Sequence, residues 1–167
     1  MLELDRAHAP ISVDNFIAHA AKGDYDGTIF HRVIRTFVIQ GGGFTPDLKE
    51  RAKIDEAAGR KDTPIVNEWT NGLKNTRGTI AMARDAAPDT ATREFYINVA
   101  DNAKLDTPRE TTGNAGYAVF GRVVKGMDVV EIIRTGKTMD HPEVIVDGEG
   151  MKDVPVAPVV IKRVVPR

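Results

Sequence analysis

The chain has 167 residues, of which 41% are hydrophobic and none is cysteine, so disulfides and thiolate metal sites are excluded. One domain of this length buries about two thirds of the surface of its unfolded chain, and it can therefore fold without covalent or metal crosslinks. Because 23 basic residues balance 24 acidic ones, charge gives no reason to expect nucleic acid or a membrane surface as a partner.

The first third of the chain predicts a strand, a helix and a pair of strands. Residues 2–5 alternate apolar and polar side chains, which is typical of a strand. Apolar residues over 13–21 follow the spacing of one helical face, and Gly23 ends the helix. Two short β-branched and aromatic runs, 28–33 and 37–40, then predict strands that stop at a triple glycine.

Residues 46–64 form a charged surface excursion within a single predicted domain, 1–167. A short helix over 48–58 fits the pattern, although its apolar stripe is thin and partial disorder is the alternative. The charged run 53–62 is expected to be solvated, with a contact to a partner as the second interpretation.

Strands dominate the rest of the chain. An apolar helical face between two glycines predicts one further helix, over 127–135. Many short strands with only two firm helices favour a barrel or a sandwich over alternating strands and helices. The predicted strands, rich in β-branched and aromatic residues, cover 79–83, 95–99, 117–124 and 159–165.

Serine, cysteine and zinc chemistry are disfavoured. The only serine, Ser12, follows Pro10 at the start of the first predicted helix, where both residue types are common. The four histidines form neither an HExxH nor a His-x-His pair, so the sequence predicts no metal site.

The densest candidate for chemistry is residues 30–45, with the sequence FHRVIRTFVIQGGGFT. The glycines alone fit a tight turn, and alternation along a strand puts Arg32 and Ile34 on one face. A phosphate-binding loop is disfavoured because no Lys-Ser or Lys-Thr follows the glycines. Spacing by itself therefore favours a turn.

This segment resembles the signature of the cyclophilins, which are peptidyl-prolyl cis-trans isomerases. The residues of the matching segments are most similar to those of bacterial single-domain members. The resemblance implies a mainly β fold, an eight-stranded closed antiparallel barrel with a helix over each open end, and the predicted elements agree with it. The other segments that match are 67–68, 71–73, 76–83, 95–99, 117–121 and 123–130.

The reaction of this family needs few ionisable groups and no cofactor. An X-Pro bond rotates over a barrier of about 18–20 kcal/mol because the amide has partial double-bond character. An enzyme must stabilise the twisted amide, whose nitrogen becomes a hydrogen-bond acceptor, and must hold the proline ring. A guanidinium beside an apolar pocket does both.

The resemblance implies roles for nine residues. Arg32 is the donor that polarises the twisted amide, and Phe37 and Gln40 complete the catalytic group. Gln40 and the backbone of Ala83 position the peptide, whereas His31 is interpreted as a packed structural histidine because no proton is transferred. Without the resemblance, Arg32 would be a solvated arginine and the apolar residues ordinary core. The remaining substrate-binding residues are Val38, Glu94, Tyr96, Leu105 and Tyr117.

Three neighbouring residues depart from the usual family pattern. Arg93 stands at a position that is normally small, Glu94 replaces Gln, and Tyr96 replaces Phe. If Glu94 points into the groove, its carboxylate could pair with Arg32 and lower turnover. Tyr96 adds a hydroxyl, which should have a small effect if water or a side chain satisfies it.

The rim of the pocket is less aromatic than in relatives. Lys104 stands where they carry Trp or Phe, and Tyr117 stands where many eukaryotic members have His. Since that Trp helps the family to hold cyclosporin, we expect weak binding of the drug. The only tryptophan, Trp69, lies elsewhere. Arg35-Thr36 replaces the common Pro-Gly, which predicts a looser turn before the pocket.

The start of the chain aligns with the second strand of the family, so its first strand has no counterpart. Strand 159–165 would then lose its usual neighbour, leaving exposed edges. We expect the polypeptide to begin upstream of Met1. The alternative is a less stable product that associates. The predicted compartment is the cytoplasm, or the periplasm if the upstream segment is an export signal.

The leading hypothesis is a monomeric prolyl isomerase that acts on proline-containing peptides and unfolded proteins. The alternative is a catalytically weakened proline-peptide-binding or chaperone-like module. Arg32, Phe37 and Gln40 favour the enzyme, whereas Arg93, Glu94 and the missing strand favour the binding module. The fold cannot decide between them.

Overall fold

The computed structural model describes residues 1–146 and 148–166, in which strands are the main regular structure. Three short 3₁₀ turns, Pro88–Thr90, Ala103–Leu105 and Glu110–Thr112, lie in the connections. In chain order the other elements are β1 (Leu2–Leu4), α1 (Pro10–Lys22), β2 (Ile29–Val33), β3 (Val38–Phe44), α2 (Arg51–Ala57), β4 (Thr79–Met82), β5 (Phe95–Asn98), β6 (Val119–Val123), α3 (Met127–Thr135), β7 (Thr138–Val146) and β8 (Glu149–Pro155).

Six strands form one antiparallel sheet in the order β1-β6-β4-β5-β3-β2, and β7 and β8 form a separate hairpin. The predicted mainly β fold is confirmed. The strand predicted over 2–5, whose partner the sequence did not reveal, pairs with β6 and places Leu2 opposite Val123. Within the described residues, β1 and β2 are the outer strands of the main sheet.

The strand predicted over 159–165 is wrong as a continuous strand. Only Val160 forms a bridge, opposite Ile29, and the backbone pairing is limited to 159–161. In the antiparallel register set by Ile29 and Val160, residues 162–165 would face residues 24–27, a turn that precedes β2, so the pairing has no strand along which to continue. The β7–β8 hairpin packs against β2 as well. Met151 and Val154 of β8 are buried there with Ile29. The sequence did not predict this hairpin.

Helix α1 packs on the main sheet through the predicted apolar face. The buried ring of Phe16 lies 5.5 Å from the ring of Phe95 in β5 and 5.4 Å from that of Phe120 in β6. The N–H groups of the first helical turn find their acceptor far along the chain. Glu68 accepts hydrogen bonds from the backbone of Ile11 and from both the backbone and the hydroxyl of Ser12. The prediction that Ser12 belongs to a helix start is confirmed.

The charged excursion contains the helix predicted over 48–58, as α2. The prediction that the run 53–62 is solvated is wrong at Asp55. That side chain is buried and lies 2.8 Å from the guanidinium of Arg93, which is itself only 2% exposed. Asp62 also binds Arg93, with contacts of 2.5 and 2.7 Å. A buried guanidinium needs carboxylate partners, and the excursion supplies them.

Candidate active site

Strand register brings the predicted catalytic residues together. Arg32 in β2 lies opposite Gln40 in β3, and Gln40 lies opposite Tyr96 in β5. Ala81 in β4 continues this row beyond Tyr96. Because directly opposite residues share one face of a sheet, Arg32, Gln40 and Tyr96 point to the same side.

A cavity of about 140 Å³ lies at this side of the sheet. Val38, Tyr96 and Leu105 are buried and belong to the apolar cluster beneath it, whereas Arg32 and Gln40 are half-buried. Eight of the nine predicted site residues line the cavity, together with one residue that was not predicted, Arg84. The eight are Arg32, Phe37, Val38, Gln40, Ala83, Tyr96, Leu105 and Tyr117.

A network of buried asparagines supports the floor of the cavity. The Tyr96 hydroxyl donates a 2.8 Å hydrogen bond to Oδ1 of Asn75, and the side-chain amide of Asn98 donates to the same oxygen. Burial raises the pKa of the Tyr96 hydroxyl well above its usual value, so it remains a donor. A side chain therefore satisfies the hydroxyl that distinguishes Tyr96 from Phe.

The turn before Phe37 is held at several points. The side-chain amide of Asn102 donates a 2.8 Å hydrogen bond to the carbonyl of Phe37, and the Phe37 N–H donates to the carbonyl of Ile34. Arg134 of α3 binds the carbonyl of Arg35 at 2.9 Å. These contacts hold the turn in place without a Pro-Gly pair, and the looser turn stays a prediction.

Glu94 does not pair with Arg32. Its Oε2 accepts a 2.8 Å hydrogen bond from the Gln40 side chain and lies 3.4 Å from Nε2 of His31. Burial alone would raise the pKa of the Glu94 carboxyl, but the charge of His31 and hydrogen bonds from His31 and Gln40 outweigh it and lower the pKa. Among the described residues, none forms an ion pair with the guanidinium of Arg32.

The triple glycine is part of strand β3, which corrects its interpretation as a turn. A Cβ at Gly43 would lie 1.8 Å from Oε1 of Glu94, and a Cβ at Gly41 would lie 2.9 Å from the carbonyl oxygen of Ile29. Gly42 has φ +94°, a conformation that side chains disfavour. The glycines are needed for close approach, and Gly43 makes the room that Glu94 occupies.

Arg84 is the site residue that the sequence did not reveal, because an arginine in a loop is ordinarily solvated. Its guanidinium donates to carbonyl oxygens of two separate loops, residues 85–86 and 112–116. Its Cζ lies 4.4 Å from the ring centroid of Tyr117. Arg84 thus joins two loops around the Tyr117 ring. The carbonyl acceptors within 3.1 Å belong to Asp85, Ala86, Thr112, Ala115 and Gly116.

Two further residues shape the surroundings of this wall. Nζ of Lys104 lies 4.3 Å from the ring centroid of Phe37, so a cation covers one face of the ring. Trp69 packs against Gly116, where a Cβ would lie 2.9 Å from its Cε3. The only tryptophan therefore touches the loop that Arg84 holds.

A larger groove of about 730 Å³ adjoins the cavity and shares Arg32, Gln40, Ala83 and Arg84 with it. Glu94 and His31 lie in this groove, and β8 forms its far wall. Glu94 is thus the one predicted site residue that the structure places beside the cavity and not in it. Among residues 1–146 and 148–166, no group of three acidic or histidine side chains is arranged to hold a metal ion.

Comparison with known proteins decides the family. Residues 1–165 match the family model described as cyclophilin type peptidyl-prolyl cis-trans isomerase/CLD. The chain belongs to the cyclophilins. It is 49% identical over 162 residues to the peptidyl-prolyl cis-trans isomerase cyp18 of Streptomyces antibioticus, which covers 97% of this chain and 89% of the relative. The resemblance predicted from residues 30–45 is confirmed.

Two further matches extend the comparison. Peptidyl-prolyl cis-trans isomerase B of Escherichia coli is 50% identical over 139 residues, covering 81% of this chain and 80% of that protein. A crystal structure of a Cryptosporidium parvum cyclophilin in the presence of the dipeptide Ala-Pro has a TM-score of 0.69 at 24% identity, covering 97% and 88% of the two chains. The first supports the activity and the second shows the fold.

This cyclophilin is a peptidyl-prolyl cis-trans isomerase, as predicted. Its relatives at about half identity carry that activity in their names, and they do not favour the alternative of a non-catalytic binding module. Of the helices in the described part of the chain, none has the length and apolar character needed to cross a bilayer.

Proposed function

We propose that this cyclophilin isomerises X-Pro bonds in peptides and unfolded proteins by seating the proline ring in the 140 Å³ cavity, with Arg32 as the catalytic donor. The observation that carries the proposal is the row of Arg32, Gln40 and Tyr96 across three strands at the edge of that cavity. The apolar floor holds the ring, and the guanidinium at the edge faces the amide.

The guanidinium of Arg32 is suited to the step because no carboxylate of the described residues occupies it. When the X-Pro amide twists, resonance is lost and the proline nitrogen gains a lone pair that accepts a hydrogen bond. A donor that binds this nitrogen only in the twisted state lowers the barrier without changing the ground state. The guanidinium donates a hydrogen bond and keeps its proton, so the step involves no net proton transfer.

The peptide backbone is positioned by groups on either side of Arg32. The N–H of Ala83 donates to the carbonyl of Glu94 at 2.9 Å, which fixes the backbone of Ala83 at the cavity that it lines, and we assign its carbonyl oxygen to an N–H of the peptide. The Gln40 amide nitrogen donates to Glu94, which turns the amide oxygen of Gln40 toward other donors. The Ala-Pro dipeptide present with the Cryptosporidium protein supports a ligand of this class.

The test is NMR exchange spectroscopy on a capped Ala-Pro peptide with catalytic amounts of the protein. We expect accelerated cis-trans exchange that falls at least about a hundredfold in Arg32→Ala, which is the scale on which loss of one oriented donor acts. Arg35→Ala is the matched control, because Arg35 is an exposed arginine three residues away whose side chain lines neither cavity nor groove. Unchanged exchange in a folded Arg32→Ala protein would reject the role of Arg32.

We also propose that cyclosporin binds weakly. Lys104 covers Phe37 with a hydrated ammonium group, where the family has a flat aromatic ring to hold the apolar drug. We expect a Kd above about 1 μM by calorimetric titration, equivalent to a binding free energy weaker than about −8 kcal/mol. Lys104→Trp should tighten binding, and submicromolar affinity of the parent would contradict the proposal.

A further inference from the structure

The charge around the proline cavity is one-sided. The nine residues that line it include two arginines, Arg32 and Arg84, and no carboxylate. Lys104 adds a third cation at the Phe37 wall, with its Nζ 4.3 Å from the ring centroid. The bias is confined to this cavity, because the neighbouring groove carries both signs, including Glu94 and Lys152.

Two nearby carboxylates, Glu94 and Asp106, keep their negative charge but direct their hydrogen bonds away from these cations. Glu94 binds Gln40 and approaches His31. Asp106, two residues after Lys104, accepts hydrogen bonds from the backbone and the side chain of Asn75, at 2.9 and 2.8 Å. Within residues 1–146 and 148–166, neither Arg32 nor Lys104 forms an ion pair. Their charges are therefore available to a ligand.

The three cations differ in what they can do. The guanidinium N–H groups of Arg84 bind carbonyl oxygens of two loops, so its charge contributes a field but few free donors. In the proposed function, Arg32 donates its hydrogen bond to the nitrogen of the twisted proline amide. Lys104 is exposed and is held over Phe37 by a cation–π contact, which orients the ammonium group without neutralising it.

We propose that the cavity rim selects prolines that have an acidic side chain as an immediate neighbour, and that Lys104 determines this preference. The inference rests on the proposed seat of the proline ring in the cavity, whose walls include Phe37 and Tyr117. With the ring there, the residue on the Phe37 side of the proline lies next to the ammonium group. An aspartate or glutamate at that position meets an unpaired cation, a lysine meets repulsion, and a neutral residue meets neither.

The test compares two peptide series that have capped ends, which removes terminal charges. In acetyl-Ala-Xaa-Pro-Ala-Ala-amide and acetyl-Ala-Ala-Pro-Xaa-Ala-amide, Xaa is Glu, Gln or Lys. Catalysed exchange is measured by NMR at pH 7, and affinity is measured separately by chemical-shift titration. In one of the two series we expect kcat/KM for Glu to exceed that for Gln by about two- to fivefold, which is the strength of one hydrated ion pair.

Two variants assign the preference to Lys104. In Lys104→Gln the Glu-to-Gln ratio should fall to about one, and in Lys104→Glu the preference should pass to the Lys peptide. Lys22→Gln is the control with the same change in charge, since Lys22 is exposed at the end of α1 and lines neither the proline cavity nor the groove, and it should keep the parent ratio. Raising the salt from about 0.01 to 1 M shortens the screening length about tenfold and should remove the preference in the parent.

The outcomes separate this inference from the function beneath it. Equal rates and affinities for Glu and Gln peptides in both series would overturn the inference, while acceleration of the Gln peptides would leave the isomerase function intact. A Glu preference that survives in Lys104→Gln would overturn the role of Lys104. If no peptide were accelerated, the proposed function would fail, and the shift titration would still decide whether the acidic peptide binds more tightly.

Discussion

Glu94 shows how one residue can depart from a family pattern without blocking the site. Its carboxylate lies against the bare Cα of Gly43 and binds Gln40, which leaves Arg32 unpaired. The expectation that Glu94 suppresses turnover depended on an Arg32 contact that the structure does not contain. The acidic side chain instead orients Gln40, the neighbour of Arg32.

We therefore expect Glu94→Gln to change kcat/KM by less than about threefold, because Gln can still accept the hydrogen bond from Gln40. NMR exchange on the Ala-Pro peptide measures this. The control is Glu56→Gln, which removes an exposed carboxylate from α2. A tenfold rise in kcat/KM for Glu94→Gln would show that the carboxylate does restrain Arg32 in solution.

At the scale of elements, the charged excursion is fastened to the main sheet by one buried arginine. Arg93 precedes β5 and binds Asp55 of α2 together with Asp62. Replacing Arg93 by Met would remove the buried cation that binds Asp62 and would leave Asp55 with only Arg51 and Arg60, at a site where water is largely excluded. Breaking a buried ion pair in this way destabilises a protein by about 3–5 kcal/mol.

Urea denaturation of Arg93→Met should show that loss, with proteolysis beginning inside the 46–64 excursion. Arg60→Met is the matched control, because Arg60 binds the same Asp55 from a side chain that is 55% exposed. It should cost less than about 1 kcal/mol. Equal losses in the two variants would refute the fastening role of Arg93.

The sequence predicted elements whose residues carry their own signal. The apolar face of α1 and the β-branched runs of the sheet are such elements. The site residues were predicted because the motif resembles that of a known family. The β7–β8 hairpin was missed because most side chains of β7 are exposed, so no alternation marks its first strand. Arg84 was missed because its partners are backbone carbonyls of two loops that only the fold brings together.

At the scale of the whole molecule, the carboxylates predict an acid-labile fold. Ion pairs lower the pKa of Glu131, through Arg77 and Arg134, and the pKa of Asp55 is lowered by Arg93 and Arg51 even though burial opposes it. Glu94 is shifted in the same direction. These groups bind protons more weakly in the folded state than in the unfolded state. Their stabilisation is complete above the unfolded pKa values, about 4, and is lost as pH falls through the lower folded values.

We expect the free energy of unfolding to be nearly constant from pH 7 to 5 and to fall between pH 4 and 2. Urea titrations at pH 7, 5 and 3 measure the change. Arg93→Met should depend less on pH in the acid range, because Asp55 loses one of the guanidinium partners that lower the pKa of its carboxyl. A parent protein as stable at pH 3 as at pH 7 would contradict the argument.

The packing of Trp69 on Gly116 gives the chain an internal optical probe. Only one tryptophan is present, so emission excited near the red edge of indole absorption arises from one place. The carbonyl of Gly116 is bound by both Arg84 and Asn67, which ties the indole environment to the loop behind the proline cavity. Ligand entry and loop motion can therefore be followed by intrinsic fluorescence in the unlabelled protein. The lack of cysteine also allows a single engineered thiol to carry an acceptor dye.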